Sequence, residues 1–115
     1  MLTIGKLAAL AEITADTLRY YEREKLIRPA KKSKGGYRLY DADSAPRIRF
    51  IKQVQCCGFT LAEIRQLLAL RYHETAHDDD ERRWMVEKKL QLKDKLRTIR
   101  YISKVLDDLI ADNAA

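Results

Sequence analysis

Residues Ile4 to Glu22 read IGKLAALAEITADTLRYYE. Ile4, Leu7, Ala8 and Ala11 recur at helical spacing, so one face of a first helix is apolar and can lie against a core. Glu12, Ile13 and Thr14 interrupt that helix. Thr14 is a good N-cap for a second helix starting at Ala15, because its hydroxyl can accept a hydrogen bond from an otherwise unpaired amide one turn in. Leu18 and Tyr21 then point back toward the first helix, which leaves Asp16, Arg19, Tyr20 and Arg23 outward. That outward face suits nucleic acid, since arginine pairs with a guanine edge or a phosphate and tyrosine hydroxyls reach phosphate oxygens. Helix-turn-helix patterns are loose, however, and a two-helix corner of an all-helical domain with a solvated charged face fits the same residues.

Outward from this pair, Leu26 and Ile27 lead to Pro29, which favours extended backbone before it. Lys31, Lys32, Ser33, Lys34, Gly35 and Gly36 form a basic loop, followed by Tyr37, Arg38, Leu39 and Tyr40. Two glycines between a basic segment and an alternating aromatic, basic, aliphatic, aromatic segment predict a hairpin. Beside a helix-turn-helix such a hairpin is a wing, whose lysines and Arg38 can lie along the DNA backbone or enter the minor groove. A basic surface loop is the plainer alternative.

A third helix is expected through Ile48, Phe50, Ile51 and Val54 to a stop at Gly58. Proline is best tolerated in a first turn, so Pro46 places the cap at Asp43 or Ser44 rather than Asp41. Thr60 and Glu63 form a capping box that opens a fourth helix with Leu61, Ile64, Leu67 and Leu68 inward and Phe59 as its staple. The predicted layout is a DNA-binding domain over 1–71, a linker over 72–80, a helix over 81–112 and a tail over 113–115. In that last helix Met85, Leu92, Ile99 and Leu106 fall seven apart, and Leu96, Ile102, Leu109 and Ile110 fill the same stripe. The pattern is that of a coiled coil, although Lys88, Lys89 and Lys95 stand where further apolar residues belong. At 1.5 Å per residue it spans roughly 50 Å, too long for a small domain to cover, so a homodimer is expected through Met85, Leu92, Leu96, Ile99, Ile102, Leu106 and Leu109. Folding back on its own domain is the competing arrangement.

A chain of 115 residues supports one modest core and an appendage. Its net charge of +6 is unevenly placed: residues 1–72 hold 14 Lys and Arg against 7 Asp and Glu, whereas residues 73–115 hold 9 against 10. Positive charge is thus concentrated where the helix pair lies, as phosphate neutralisation requires. No apolar run approaches a membrane span and the N-terminus lacks a signal peptide's apolar block, so a cytoplasmic protein without a membrane partner is expected. A disulfide between adjacent Cys56 and Cys57 would be strained, which makes a disulfide framework improbable and fits a reducing compartment. No Ser, His and Asp arrangement, phosphate-cradling glycine loop or paired acid and base supports an enzyme.

Thr3-Ile4-Gly5-Lys6-Leu7-Ala8, Thr17-Leu18-Arg19-Tyr20-Tyr21-Glu22, Gly35-Gly36-Tyr37-Arg38-Leu39-Tyr40, Arg49-Phe50-Ile51 and Gly58-Phe59-Thr60-Leu61 with Glu63-Ile64 together resemble the DNA-binding domain of the MerR family of bacterial transcription regulators. The long helix resembles that family's dimerisation helix. The resemblance implies a mainly α fold, a winged helix-turn-helix followed by a long antiparallel coiled-coil helix, acting as a homodimer on a palindromic operator. It further implies that the dimer bends and untwists promoter DNA in response to an effector (a thiol-reactive compound, a metal ion or a small molecule) so that RNA polymerase engages both promoter elements. Arg19, Tyr20 and Tyr21 match the family's recognition-helix contacts, and Tyr37 with Arg38 match its wing. With Thr14, Asp16 and Lys34 they make the candidate contacts to double-stranded DNA.

The effector side departs from the family's metal sensors, which place a cysteine near the start of the dimer helix and more in a loop after it. Here Asp78, Asp79 and Asp80 stand near the first place and Asn113, Ala114 and Ala115 at the second, so a thiolate cage is absent from these residues and no metal site is assigned. Either the chain senses something else or residues beyond Ala115 carry the ligands. Two candidates remain: His73 and His77, four apart beside the aspartates, for a metal ion, and Cys56 with Cys57 for a thiol-reactive compound. A solvated linker and small core hydrophobes are the respective plainer readings, with one of the two cysteines expected to be buried. An architectural DNA-binding protein or coiled-coil adaptor that ignores any inducer is the alternative function.

Overall fold

The computed structural model describes residues 1–72 and 78–113. The expected linker, with His73 and His77, lies largely outside the described residues. The order is β1 (Leu2–Thr3), α1 (Ile4–Ala11), α2 (Ala15–Arg23), β2 (Lys31–Lys32), β3 (Arg38–Tyr40), α3 (Ser44–Cys56), α4 (Leu61–Arg71) and α5 (Asp79–Asp112). The chain divides into two compact units, one holding β1 to α4 and the other α5.

In the first unit the two-helix turn is built from capping chemistry. Thr14 Oγ1 accepts from the Thr17 amide at 3.1 Å, as its residue type predicts. The end of α1 is closed by Glu12 at φ 59°, with the Glu12 amide donating to Ala9 O and the Ile13 amide to Ala8 O. This paired closure satisfies the last carbonyls of α1 and turns half-buried Ile13 onto the core. The same device ends α2, where Lys25 sits at φ 60° and the Leu26 amide donates to Tyr21 O at 2.9 Å. Leu26 is driven fully inside. Two residues other than glycine thus adopt a left-handed conformation, and each is followed by an apolar side chain whose burial offsets the backbone cost.

The wing forms as expected: β2 and β3 are antiparallel with Lys31 opposite Leu39 and Lys32 opposite Arg38. Its turn is closed by the Gly36 amide donating to Ser33 O at 2.9 Å, with Gly36 at φ 83°, a conformation that favours glycine. The sheet has a third strand that the sequence did not announce. β1 pairs with β3, Leu2 opposite Tyr40 and Thr3 opposite Leu39. Thr3 then caps α1, its hydroxyl accepting from the Lys6 amide.

Leu7, Leu18, Tyr21, Leu26, Tyr40, Ile48, Ile51, Ile64 and Leu68 are the large side chains fully buried in the core. Burying each aliphatic one contributes about 1.5–3 kcal/mol relative to exposure. α3 starts at Ser44 and takes Pro46 in its first turn, as expected, but the Asp43 side chain makes no capping bond because its own backbone is already helical. α4 carries the predicted capping box: the Thr60 amide donates to Glu63 Oε1 at 2.9 Å and the Glu63 amide to Thr60 Oγ1 at 3.2 Å. Phe59 packs half-buried on the core.

α5 begins at Asp79, because Asp78 Oδ1 accepts from the Glu81 amide at 2.8 Å and caps it. Asp79, Asp80 and Glu81 then occupy the first turn, where the helix dipole favours carboxylates. None of its 34 residues is buried within the single chain. Leu92, Leu96, Ile99, Ile102, Leu106 and Leu109 all stand exposed.

Candidate nucleic-acid interface

On α2 the structure separates the predicted contacts into two groups. Asp16 and Arg19 are exposed and paired with each other, Arg19 Nη1 donating to Asp16 Oδ1 at 2.9 Å. Exposed pairs of this kind contribute at most about 1 kcal/mol, so Arg19 can leave Asp16 for a phosphate or base at little cost. Thr14 is exposed, but its hydroxyl is already engaged by the Thr17 amide and lies 2.8 Å from the Thr17 hydroxyl. Tyr20 is half-buried against the core. Tyr21 is a correction to its place among the contacts: it is only 1% exposed, and its hydroxyl donates to Gln55 Oε1 of α3 at 2.9 Å. Its position three residues after Leu18 puts it on the inward face. Burial, and then the neighbouring Cys56 and Tyr20, push its pKa up and keep it a hydrogen-bond donor.

The wing brings Lys34, Tyr37 and Arg38 to the surface, with Tyr37 73% exposed at the hairpin's end. The Tyr37 amide donates to Ser33 Oγ at 3.1 Å, and its ring lies so close over Gly35 that a Cβ there would approach it to 3.2 Å. Thr3, Ile4, Arg19, Lys32, Gly36, Tyr37 and Arg38 line one groove of about 280 Å³. Arg19 of α2 and the basic wing residues therefore share one concave surface, the shape and charge that track a phosphate backbone. Lys32 joins this set although its residue type alone gave no reason to prefer it over Lys31.

Sequence reasoning also missed the residues that hold the surface together. Glu22 lies between helix and wing: its Oε1 takes Arg38 Nε at 3.1 Å and its Oε2 accepts from the Tyr40 hydroxyl at 2.7 Å. Burial, then the hydrogen bond to Glu22, raises the Tyr40 pKa to about 12. Arg65 of α4 donates through Nε and Nη2 to Glu24 O and through Nη2 to Glu24 Oε2, tying down the end of α2. Arg47 Nε donates to Leu26 O at 3.0 Å and its guanidinium lies 4.9 Å from the Tyr72 ring centroid. No spacing rule finds such partners, because they become neighbours only once the fold has formed.

Two models of known families match this chain. One, MerR HTH family regulatory protein, covers residues 2–71, and the other, MerR, DNA binding, covers residues 46–109. The chain belongs to the MerR family. The HTH-type transcriptional regulator ZntR of Escherichia coli (strain K12) is 38% identical over 91 residues, 79% of this chain and 64% of that protein. The chain thus spans under two thirds of the ZntR length. The mercuric resistance operon regulatory protein of Bacillus cereus is 35% identical over 106 residues, 92% of this chain and 80% of that protein. Among solved structures, the transcription regulator PbrR691 from Ralstonia metallidurans CH34 in complex with lead(II) superposes with a TM-score of 0.67 at 33% identity, covering 95% of this chain and 85% of that one. These relatives are transcription regulators rather than enzymes, and no helix among the described residues is long and apolar enough to cross a membrane.

Cys56 and Cys57 are both exposed at the end of α3, so the expectation that one of them is a buried core residue is corrected. The helix reaches the surface in its last turn, where Gln55, Cys56 and Cys57 are all exposed. Cys56 lines a groove of about 530 Å³ with Thr14, Thr17, Lys52 and Gln55. Among the described residues no group of three or more His, Cys, Asp and Glu is placed to hold a metal ion.

Proposed function

We propose that this chain is a homodimeric transcription regulator that binds a palindromic operator in double-stranded promoter DNA and controls RNA polymerase by bending and untwisting that DNA. The observation that carries this reading is the shared groove: Arg19, Lys32, Tyr37 and Arg38 come from a helix and a wing yet line one basic concavity. α2 occupies the recognition-helix position, and the wing adds backbone contacts that fix its register. Thr14, Asp16, Tyr20 and Lys34 flank the contact, with Asp16 holding Arg19 until DNA replaces it. The α5 stripe of Leu92, Leu96, Ile99, Ile102, Leu106 and Leu109, with Met85 at its start, supports pairing with a second copy in an antiparallel coiled coil. Such a pair sets two recognition helices at whole turns of one duplex.

A metal ion or a thiol-reactive compound is the effector class we assign. The relatives named for mercuric resistance and solved with lead(II) support the first, and the two exposed thiols of Cys56 and Cys57 the second. Transcription in vitro from a promoter carrying, between its two elements, the duplex that the chain enriches from a random library, with and without metal ions and thiol reagents, tests this reading together with a circular-permutation bending assay. Effector-dependent output and a change in bend are expected. Output and bend that ignore every added ion and reagent would leave an architectural DNA-binding protein instead.

A further inference from the structure

Glu22 sits on the last turn of α2 with a side chain only 15% exposed, and both of its oxygens are committed to β3. Arg38 and Tyr40 alternate along that strand, so they project from the same side of it. One lies at the surface and holds Glu22 Oε1 at 3.1 Å. The other is fully buried and donates to Oε2 at 2.7 Å. A single carboxylate therefore ties the recognition helix to one exposed and one buried residue on the same face of the wing.

We infer that Glu22 is a positioning residue for DNA binding, which presents Arg38 to the duplex by holding its Nε while half of its side chain stays exposed. The inference rests on the proposed DNA-binding reading and adds a specific dependence to it. A negative charge beside a phosphate-facing surface opposes binding by simple electrostatics, so Glu22 lowers the net attraction for DNA while fixing where the wing's cation points. The strand itself is held independently by β1, with Leu2 opposite Tyr40 and Thr3 opposite Leu39. Loss of Glu22 therefore leaves the wing folded and releases the Arg38 side chain.

The test is a double-mutant cycle on the full chain, using the duplex that the wild-type chain enriches from a random library and a shuffled duplex as probes. Glu22→Gln keeps an acceptor for Tyr40 but loses the charge that holds Arg38. It should weaken binding to the enriched duplex about fivefold, the size of one long side chain no longer held in place. In an Arg38→Ala background the same change should leave affinity unchanged or raise it slightly, because the group it acts through is gone and only a repulsive charge is removed. Glu22→Asp keeps the carboxylate and should restore most of the affinity; should the Gln variant fail to fold, Tyr40→Phe, which removes only the buried bond to Glu22, must leave affinity for the enriched duplex within about twofold, and a fivefold loss would show Glu22 acting through Tyr40 and overturn the inference. An equal loss in both backgrounds would make Glu22 a purely structural residue acting through Tyr40 and overturn the inference, as would no loss in either. A wild-type chain that enriches no duplex overturns the regulator reading itself.

Discussion

Two glutamates placed at Ile99 and Leu106 should separate the dimer into single chains. In the isolated chain Leu92, Leu96, Ile99, Ile102, Leu106 and Leu109 remain between 37% and 64% exposed, so about half of each side chain is left to bury. Full burial of a Leu or Ile contributes about 1.5–3 kcal/mol, so each contributes about 1 kcal/mol on pairing and six from each of two chains contribute about 12 kcal/mol gross. Association costs at least about 4 kcal/mol, which leaves at most about 8 kcal/mol, a dimer of about micromolar affinity. Replacing Ile99 and Leu106 removes about a third of the gross term, and each buried carboxylate adds a penalty of at least about 1–3 kcal/mol. The dissociation constant should rise by more than about a thousandfold. Sedimentation equilibrium at micromolar concentration measures this, with circular dichroism to show that the first unit keeps its helices. Glutamates at Arg97 and Lys104, on the opposite side of the heptad pattern, are the control and should leave the dimer intact. If the Ile99 and Leu106 double variant still has the mass of two chains, the α5 stripe is not the interface.

Three other outcomes rest on single residues. Arg19→Ala should cost about 1–3 kcal/mol on the enriched duplex in a filter-binding titration, confined to that sequence if the side chain reads a base and shared by all sequences if it holds phosphate; no change on any duplex removes it from the contact. Tyr21→Phe should lower stability by about 1 kcal/mol in urea denaturation through the lost bond to Gln55 and leave DNA affinity unchanged; a loss of affinity without loss of stability would return Tyr21 to the interface. Tyr40, whose pKa is raised above the ordinary 10.0 to about 12, adds stability that is fully present below pH 10 and is lost as pH climbs toward 12. Tyrosinate absorbance followed alongside helicity should show that loss, and Tyr40→Phe should remove it; an alkaline transition identical in both proteins contradicts the assignment.

Much of the fold was legible because its boundaries are written in local chemistry. Thr14 and the Thr60 and Glu63 pair cap helices through bonds spanning three residues, and the glycines of the hairpin mark its turn. The α5 stripe was equally visible, since a seven-residue repeat needs no tertiary partner to be recognised. The features that escaped depend on contacts between distant segments. β1 is two residues long and becomes a strand only because Tyr40 and Leu39 arrive beside it. The left-handed Glu12 and Lys25 carry no glycine to signal them, and their conformation is supported by the burial of Ile13 and Leu26 after them. In the site, Arg19, Tyr37, Arg38 and the wing lysines were readable as a basic and aromatic surface, whereas Glu22 and Arg65 were not. Tyr21 was drawn into the contacts by its motif, against its own helical spacing, and the packing obeyed the spacing.

Regulation of the proposed kind requires two copies of the chain to read two half-sites. Selection of bound duplexes from a random library by the full chain, with mass measurement of the complex, addresses that directly. Enrichment of an inverted repeat whose halves lie a whole number of helical turns apart, bound by two chains, is the predicted result. Enrichment of an asymmetric sequence, or a complex holding one chain, would contradict it.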